Sequence, residues 1–317
     1  MRQGPENCDR HPPSKFMPLP SPNTKDLPPT RWGKVLGTTP VVLTVVATLL
    51  AGLASSEMTS AQYDRAFAAQ LQSKAGDQWG YFQAKKLRSA LQRNTLEILE
   101  ATTEVHPIDA TAVHEALSHS SLSDRSAIGE AVVRAIEHGA LPTGPHVAPS
   151  GAVKPALDAL ANSAPEPELI ALLAPVKDQV LSEDLRSAQA AVSAFDLAVK
   201  PILQAVDGLE RAFVGTPQRR DFTAARLRLQ AARYDAEAEL NQAVGSLFEL
   251  QVRKSNGSAE RHHRRSQRFF FGMLAAQAGV ILSTLALAAQ RRSWLWAVAA
   301  IAGAIAVAFA IYVYLFV

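Results

Sequence analysis

Five of the eight histidines fall between His106 and His146, and "HEALSH" (His114–His119) comes closest to a chemical motif. It resembles the HExxH pair of zinc proteases with one residue too many. On a regular helix that spacing turns the second imidazole roughly 140° from the first, so one ion does not reach both rings. These are read as polar surface histidines, and no metal site is assigned. The single cysteine, Cys8, lies among prolines and allows neither an intrachain disulfide nor a CxxC pair. Gly33 and Lys34 lack the rest of a P-loop, and no GxSxG occurs. The carboxylates are scattered over charged helical stretches as solvated faces. No catalytic residue and no cofactor is assigned, and the balance is against an enzyme.

A second group of candidates is basic. "RHHRRSQR" (Arg261–Arg268) stands directly before an apolar run, and Arg291 and Arg292 stand directly after it. Nucleic acid is not expected as a partner: net charge is only +3, and no aromatics interleave with these cations to stack on bases. Arg261, Arg264, Arg265, Arg268, Arg291 and Arg292 are read as contacts to anionic lipid headgroups.

That assignment requires a bilayer, and hydropathy supplies one. Residues 35–56, 269–290 and 293–317 carry no charge over 22, 22 and 25 residues. Each as a helix spans about 33 Å or more, against a hydrocarbon core of about 30 Å. Gly52, Leu53 and Ala54 permit a signal-peptidase site after the first span, but the 34-residue leader and the length of the run favour a retained anchor. Trp294 and Trp296 at one end of the third span, and Tyr312 and Tyr314 at the other, stand about 27 Å apart, as paired interfacial belts do. Small residues at four-residue intervals (Ala275, Gly279, Ser283; Ala300, Ala304, Ala308; Ala302, Ala306, Ala310) suit close packing of the last two spans.

The rest reads as helical. Residues 1–34 form a disordered, proline-rich tail. Residues 57–104 form a long helix ended near Pro107. Residues 105–165 form a loop-rich helical insert around Ala110–Ser118 and Ser123–His138. Residues 166–256 are further helices, interrupted near Pro201, and residues 257–268 are the basic juxtamembrane segment. Phe222, Ala225, Leu229, Ala232, Ala236, Leu240, Ala243, Leu247 and Leu250 recur at three and four residues, an alanine-rich seam like that of a coiled coil. The fold class is all-α: three transmembrane helices with an extramembrane antiparallel, coiled-coil-like hairpin and a helical insert.

Within 57–104, "GDQWGYFQAKKLR" (Gly76–Arg88) sets glycines and aromatics into a polar helix. Gly76, Gly80 and Ala84 share a face walled by Trp79 and Leu87. Each glycine costs about 1 kcal/mol against alanine, so close packing of a partner helix is expected there. Equal height above the bilayer nominates Ala243–Phe248 as the partner of Trp79, with a possible shift at the break "SNGS" (Ser255–Ser258).

Asp77, Gln78, Trp79, Tyr81, Phe82, Gln83, Ala84 and Lys85 resemble the D-Q-W-x-Y-[FY]-Q-A-K signature of the bacterial membrane family called domain of unknown function 4337. "QAGVILSTLAL" from Gln277, the basic turn and Trp294–Trp296 are similar to its membrane hairpin. The resemblance covers residues 32–104 and 222–317. Gly80 departs from the expected alanine, the leader is long, and residues 105–215 are enlarged. The resemblance implies a multi-pass protein of the bacterial inner membrane and supplies no mechanism. The expected role is a membrane-anchored helical scaffold or interaction module, partnered by lipid and by further copies or another membrane protein. The alternative is a subunit of an oligomeric channel or transporter.

Overall fold

The computed structural model describes residues 31–118, 126–142, 148–210, 213, 216–288 and 294–316. The proline-rich tail up to residue 30, Cys8, His119, Arg291 and Arg292 lie outside the described residues. The described residues form α1 (Arg31–Thr102), α2 (Ala110–Ser118), α3 (Ser126–His138), α4 (Lys154–Ala161), α5 (Glu166–Leu173), α6 (Asp178–Leu209), α7 (Thr216–Ala288) and α8 (Trp294–Phe316), with no strand among them. They divide into two compact units, residues 54–267 and the chain on either side of it. α1 and α7 each contribute to both.

Two expected breaks do not occur. α7 runs unbroken through Ser255–Ser258. There Gly257 approaches Ile170, and the Ser255 hydroxyl donates to the Asp64 carbonyl at 2.8 Å. Such contacts outweigh a helix-propensity deficit of about 1 kcal/mol. α6 likewise continues through Pro201, flanked by buried Val199, Ile202, Ala205 and Val206.

In the 54–267 unit, α1 and α7 lie antiparallel, because each step along one is matched by a step back along the other. Ser266 donates to the Ala54 carbonyl (2.7 Å), His262 meets Glu57 (2.5 Å), Ser255 meets Asp64, and Ser89 donates to the Ala231 carbonyl (3.1 Å). The buried residues behind this register are small and seven apart. They are Ala54, Ala61, Ala68, Ala75 and, after half-buried Phe82, Ser89 on α1; on α7 they are Ala231, Ala238, Gly245, Val252, Ala259 and Ser266. Such a period keeps one helix face turned toward a partner.

The alanine-rich seam read from the sequence of α7 is a different face. Phe222, Ala225 and Leu229 bury against α2, α3 and α6 with Val113, Ile136, Ile202 and Val206. Leu247 and Leu250 join a second core with Leu169, Leu173, Leu181 and Leu71. Ala243 is exposed. Large apolar residues on α7 mark its contact with the shorter helices, joined by Leu71 of α1, whereas the seven-residue seam with α1 is made chiefly by small ones. The 105–165 segment also divides: α2 and α3 belong to the first of these cores, while Val153 and Ala156, at and within α4, belong to the second. α3 is closed by Gly139 at φ 63°, with the Ala140 amide reaching back to the Arg134 carbonyl at 3.4 Å, a left-handed terminus that favours glycine.

In the other unit, Leu43 of α1 fits between glycines of α7 and α8. A Cβ on Gly279 would stand 3.1 Å from Leu43 Cδ1, and one on Gly303 would overlap Leu43 Cδ2. Leu50 packs in the same way on Gly272. The buried ridge of α8 is Ala299, Gly303 and Ala306; of the two ridges expected, Ala304 and Ala308 of one are exposed, while Ala306 of the other is buried and Ala302 half-buried. Gln277 is exposed as well. Two helices, α1 and α7, contain stretches long and apolar enough to cross a membrane; in α8 the corresponding described run is the shorter Ala297–Phe309.

Overfilling the Leu43 socket gives a direct test. Gly303→Val is expected to destabilise the protein by about 1–3 kcal/mol, and combining it with Leu43→Ala should recover part of that loss. Thermal unfolding of the detergent-solubilised protein followed by circular dichroism measures both; strictly additive losses would place Leu43 elsewhere.

Candidate functional site

The segment with the densest cross-helix contacts on α1 is Gln78–Arg93, and it contains most of the DQW stretch. Its geometry follows from the α1–α7 register. A Cβ added to Gly245 of α7 would meet Gln78 Cβ and Trp79 Cε2 at 3.5 Å and Trp79 Nε1 at 3.6 Å. The absent side chain that admits the indole is therefore on α7. Trp79 is half-buried and meets Phe82 edge to face, with centroids 5.6 Å apart.

One to two turns further on, the seam becomes ionic. Glu237 is only 6% exposed and accepts from Lys85 and from Arg233, the latter at 2.5 Å. The Tyr234 ring lies among three cations, with Lys85, Arg233 and Arg88 at 5.4, 5.5 and 5.9 Å from its centroid. Asp235 pairs with Lys86 at 3.2 Å and with Arg93. Burial pushes the Asp235 carboxyl up, but the Ser89 hydroxyl beside it and the charges of Lys86 and Arg93 outweigh burial and hold it below the ordinary value.

The groove inferred from sequence faces the other way. Gly76, Asp77, Gly80, Tyr81, Gln83 and Ala84 are exposed, and a Cβ at Gly76 or Gly80 would meet nothing within 4 Å. The reason is angular: the residues that meet α7 are Ala75, Gln78, Phe82, Lys85 and Ser89, on the opposite side of the helix. Of the stretch, Gln78, Trp79, Phe82 and Lys85 are partly buried there, and Leu87 is 63% exposed. Trp79 does lie against the Ala243–Phe248 segment expected from equal height, at Gly245. Sequence reading missed Glu237 and Asp235 as the ionic partners and Ser89 as a buried donor. An acidic pair two residues apart on α7, at the right distance from Gly245 to face Lys85 and Lys86, was the available signal.

This arrangement fixes register. Other registers are disfavoured, because axial slip would take Lys85 away and leave only Arg233, on the same helix, beside the buried Glu237 carboxylate. A pocket of about 210 Å³ adjoins it, lined by Tyr81, Lys85, Phe195, Asp196, Glu237 and Asn241. A larger cavity of about 440 Å³ lies where α1 ends and α7 begins, with His106, Glu104, Glu137, Asp221 and Arg228 in its wall. Among the described residues no three His, Cys, Asp or Glu side chains converge on a metal position.

The basic run is partly engaged. Arg264 pairs with Glu260 at 2.9 Å, and His262 is held by Glu57. Arg261 is exposed, Arg265 and Arg268 are half-buried, and Arg265 Nε and His263 Nδ1 are buried without a hydrogen-bond partner.

Residues 32–128, about a third of the chain, match the family described as Domain of unknown function (DUF4337). The match takes in α1 and α2, with the whole DQW stretch, and does not extend to residues 222–317. No curated protein and no solved structure matches the chain.

The glycines of the two helices are expected to respond oppositely. Gly76→Ala should stabilise the protein by about 0.5–1 kcal/mol, whereas Gly245→Leu should destabilise it by about 1–3 kcal/mol by displacing Trp79. Denaturant midpoints with indole fluorescence measure both, and the reverse order would put the receiving groove on α1.

Asp235 gives a pH signature. Its folded pKa lies below the unfolded value of about 3.9, so its stabilisation is fully present above about pH 4 and is lost as pH falls through the folded value. Asp235→Asn should therefore lower stability at neutral pH and flatten the acid limb of a stability–pH profile. An unchanged acid limb would remove Asp235 from the seam.

Proposed function

We propose that this protein is a membrane-anchored helical scaffold, an interaction module of the bacterial inner membrane, held by three spans at 35–56, 269–290 and 293–317. The third span is α8, whose 23 residues extend about 34 Å. Anchoring is supported by the apolar side chains left outside: Val41 and Leu49 on α1, Phe271 and Ile281 on α7, and Ile301 and Ile305 on α8 are about half exposed or more. A core helix of a water-soluble domain buries such residues, whereas a lipid-facing helix turns them outward.

One observation carries the scaffold reading: the same two helices, α1 and α7, supply both an outward apolar stretch and the seam of the 54–267 bundle. Their seven-residue spacing reads as an antiparallel coiled coil. The charged side chains at the clasp, Lys85, Glu237, Asp235 and Arg233, are engaged with one another, which suits a rigid body that presents its outer faces to partners. Arg261, Arg264, Arg265, Arg268, Arg291 and Arg292 are assigned to anionic headgroups, and the partners are lipid together with further copies or another membrane protein.

Cysteine accessibility in intact and permeabilised cells tests the anchoring. Native Cys8 should be labelled from one side of the membrane. In a Cys8→Ser background, Gly151→Cys and Val317→Cys should both be labelled from the other side, and alkaline carbonate should leave the chain in the pellet. Release by carbonate, or labelling of Cys8 and Gly151→Cys from the same side, would overturn the reading; Val317→Cys appearing on the Cys8 side would remove the third span.

A further inference from the structure

Opposite its α7 seam, α1 carries a second stripe. Gly80, Ala84, Leu87, Leu91, Asn94 and Ile98 follow one another at intervals of four and three residues, and all six are exposed. Leu87, Leu91 and Ile98 leave 63%, 55% and 57% of their surface open. A four–three alternation of apolar and small residues is the spacing of a two-helix seam, and this one has no occupant among the described residues. Gly80 weakens the helix, and no intrachain contact uses the space that its missing side chain leaves.

The geometry points to a second copy of this chain as the occupant, docked in parallel, α1 against α1 about a two-fold axis, with Gly80–Ile98 as the contact. The inference rests on the membrane-anchored reading: two copies inserted the same way in one bilayer bring their α1 helices together in the same direction. In a parallel pair each stripe residue then meets its own counterpart. Gly80 and Ala84 let the backbones approach, while Leu87, Leu91 and Ile98 supply apolar contact.

Asn94 meets Asn94 in the middle of the apolar half, where the paired amides can hydrogen-bond to each other. Along the flanks, Gln83 of one copy faces Arg88 of the other and Ala90 faces Thr95, so no like charges oppose each other. The next position toward the N-terminus is Asp77, where two copies would juxtapose carboxylates, and the contact therefore starts at Gly80. The strip is about 28 Å long and one helix wide, near the lower limit of a stand-alone interface at roughly 1,000 Å². Confinement of both copies to one membrane raises their effective concentration and makes up the difference.

The test uses the full chain in native membranes, with Cys8→Ser as background and single cysteines at Leu91→Cys, Asn94→Cys and, as an off-face control, Leu197→Cys on α6, where Leu197 is 74% exposed. A disulfide requires Cα atoms within about 7 Å, so mild oxidation should give on the order of tenfold more disulfide dimer at 91 and 94 than at 197. Adding Leu87→Glu to Asn94→Cys should reduce the yield to that of the control without changing helix content by circular dichroism. Equal yields at all three positions, no dimer at 91 and 94, or a crosslinked product whose mass is not twice that of the chain would overturn the proposal. Carbonate extraction of the same membranes separates the two failures: a chain that stays in the pellet without dimerising sinks the dimer alone, while a released chain sinks the anchoring.

Discussion

Everything in the 54–267 unit depends on how closely α1 and α7 approach. Residues seven apart on both helices are small: four alanines and a serine on α1, and three alanines, a glycine, a valine and a serine on α7. Small side chains allow the backbones to come near, so a serine hydroxyl on one helix reaches a main-chain carbonyl on the other at Ser89, Ser255 and Ser266. Larger residues at those positions would force the axes apart and leave the three hydroxyls without partners at that distance. Glycine at 245 meets the one place where α1 offers an indole.

A seam of small residues holds little positional information, since an alanine face slides past another at low cost. The charges supply that information. The cross-helix pairs Glu237 with Lys85, Asp235 with Lys86 and Arg93, and Glu57 with His262 can each be satisfied in only one register. Lys85, near the end of the DQW stretch, is thus explained by position: it faces the buried carboxylate of Glu237. Trp79 and Gly245 stand between the Glu57 and Glu237 contacts and fix the same register by shape.

How much of this is legible in the sequence differs between the large and the small side chains. Uncharged runs reveal the long apolar helices, and Pro107 and the residues after it reveal where α1 stops, because both signals are strong and local. The large apolar residues of α7, such as Phe222 and Leu229, reveal a packed face, but it is the face toward α2, α3 and α6. The seam with α1 is hidden because its residues are alanine, glycine and serine, which hydropathy cannot separate from a surface. For the same reason the glycines of the DQW stretch point to a groove on the wrong side of the helix, although equal height above the bilayer nominates the segment Ala243–Phe248 that holds the receiving Gly245. Pro201 and Ser255–Ser258 mislead in the opposite sense: their local preferences are overridden by buried neighbours whose contacts are distant in sequence.

In the 54–267 unit α1 and α7 form a helix pair joined by salt bridges from Lys85, Lys86 and Arg93 to Glu237 and Asp235, and Leu87, Leu91 and Ile98 of α1 remain exposed. The central claim is the register of that pair, and one measurement addresses it most directly. In a Cys8→Ser chain, cysteines replacing Ser89 and Ala231 should oxidise to a disulfide within one chain, since the Ser89 hydroxyl already reaches the Ala231 carbonyl at 3.1 Å. Cysteines replacing Ser89 and Ala238, one heptad further along the same face, should stay reduced. A link to position 238 in place of 231, or a disulfide that forms only between chains, would contradict the account.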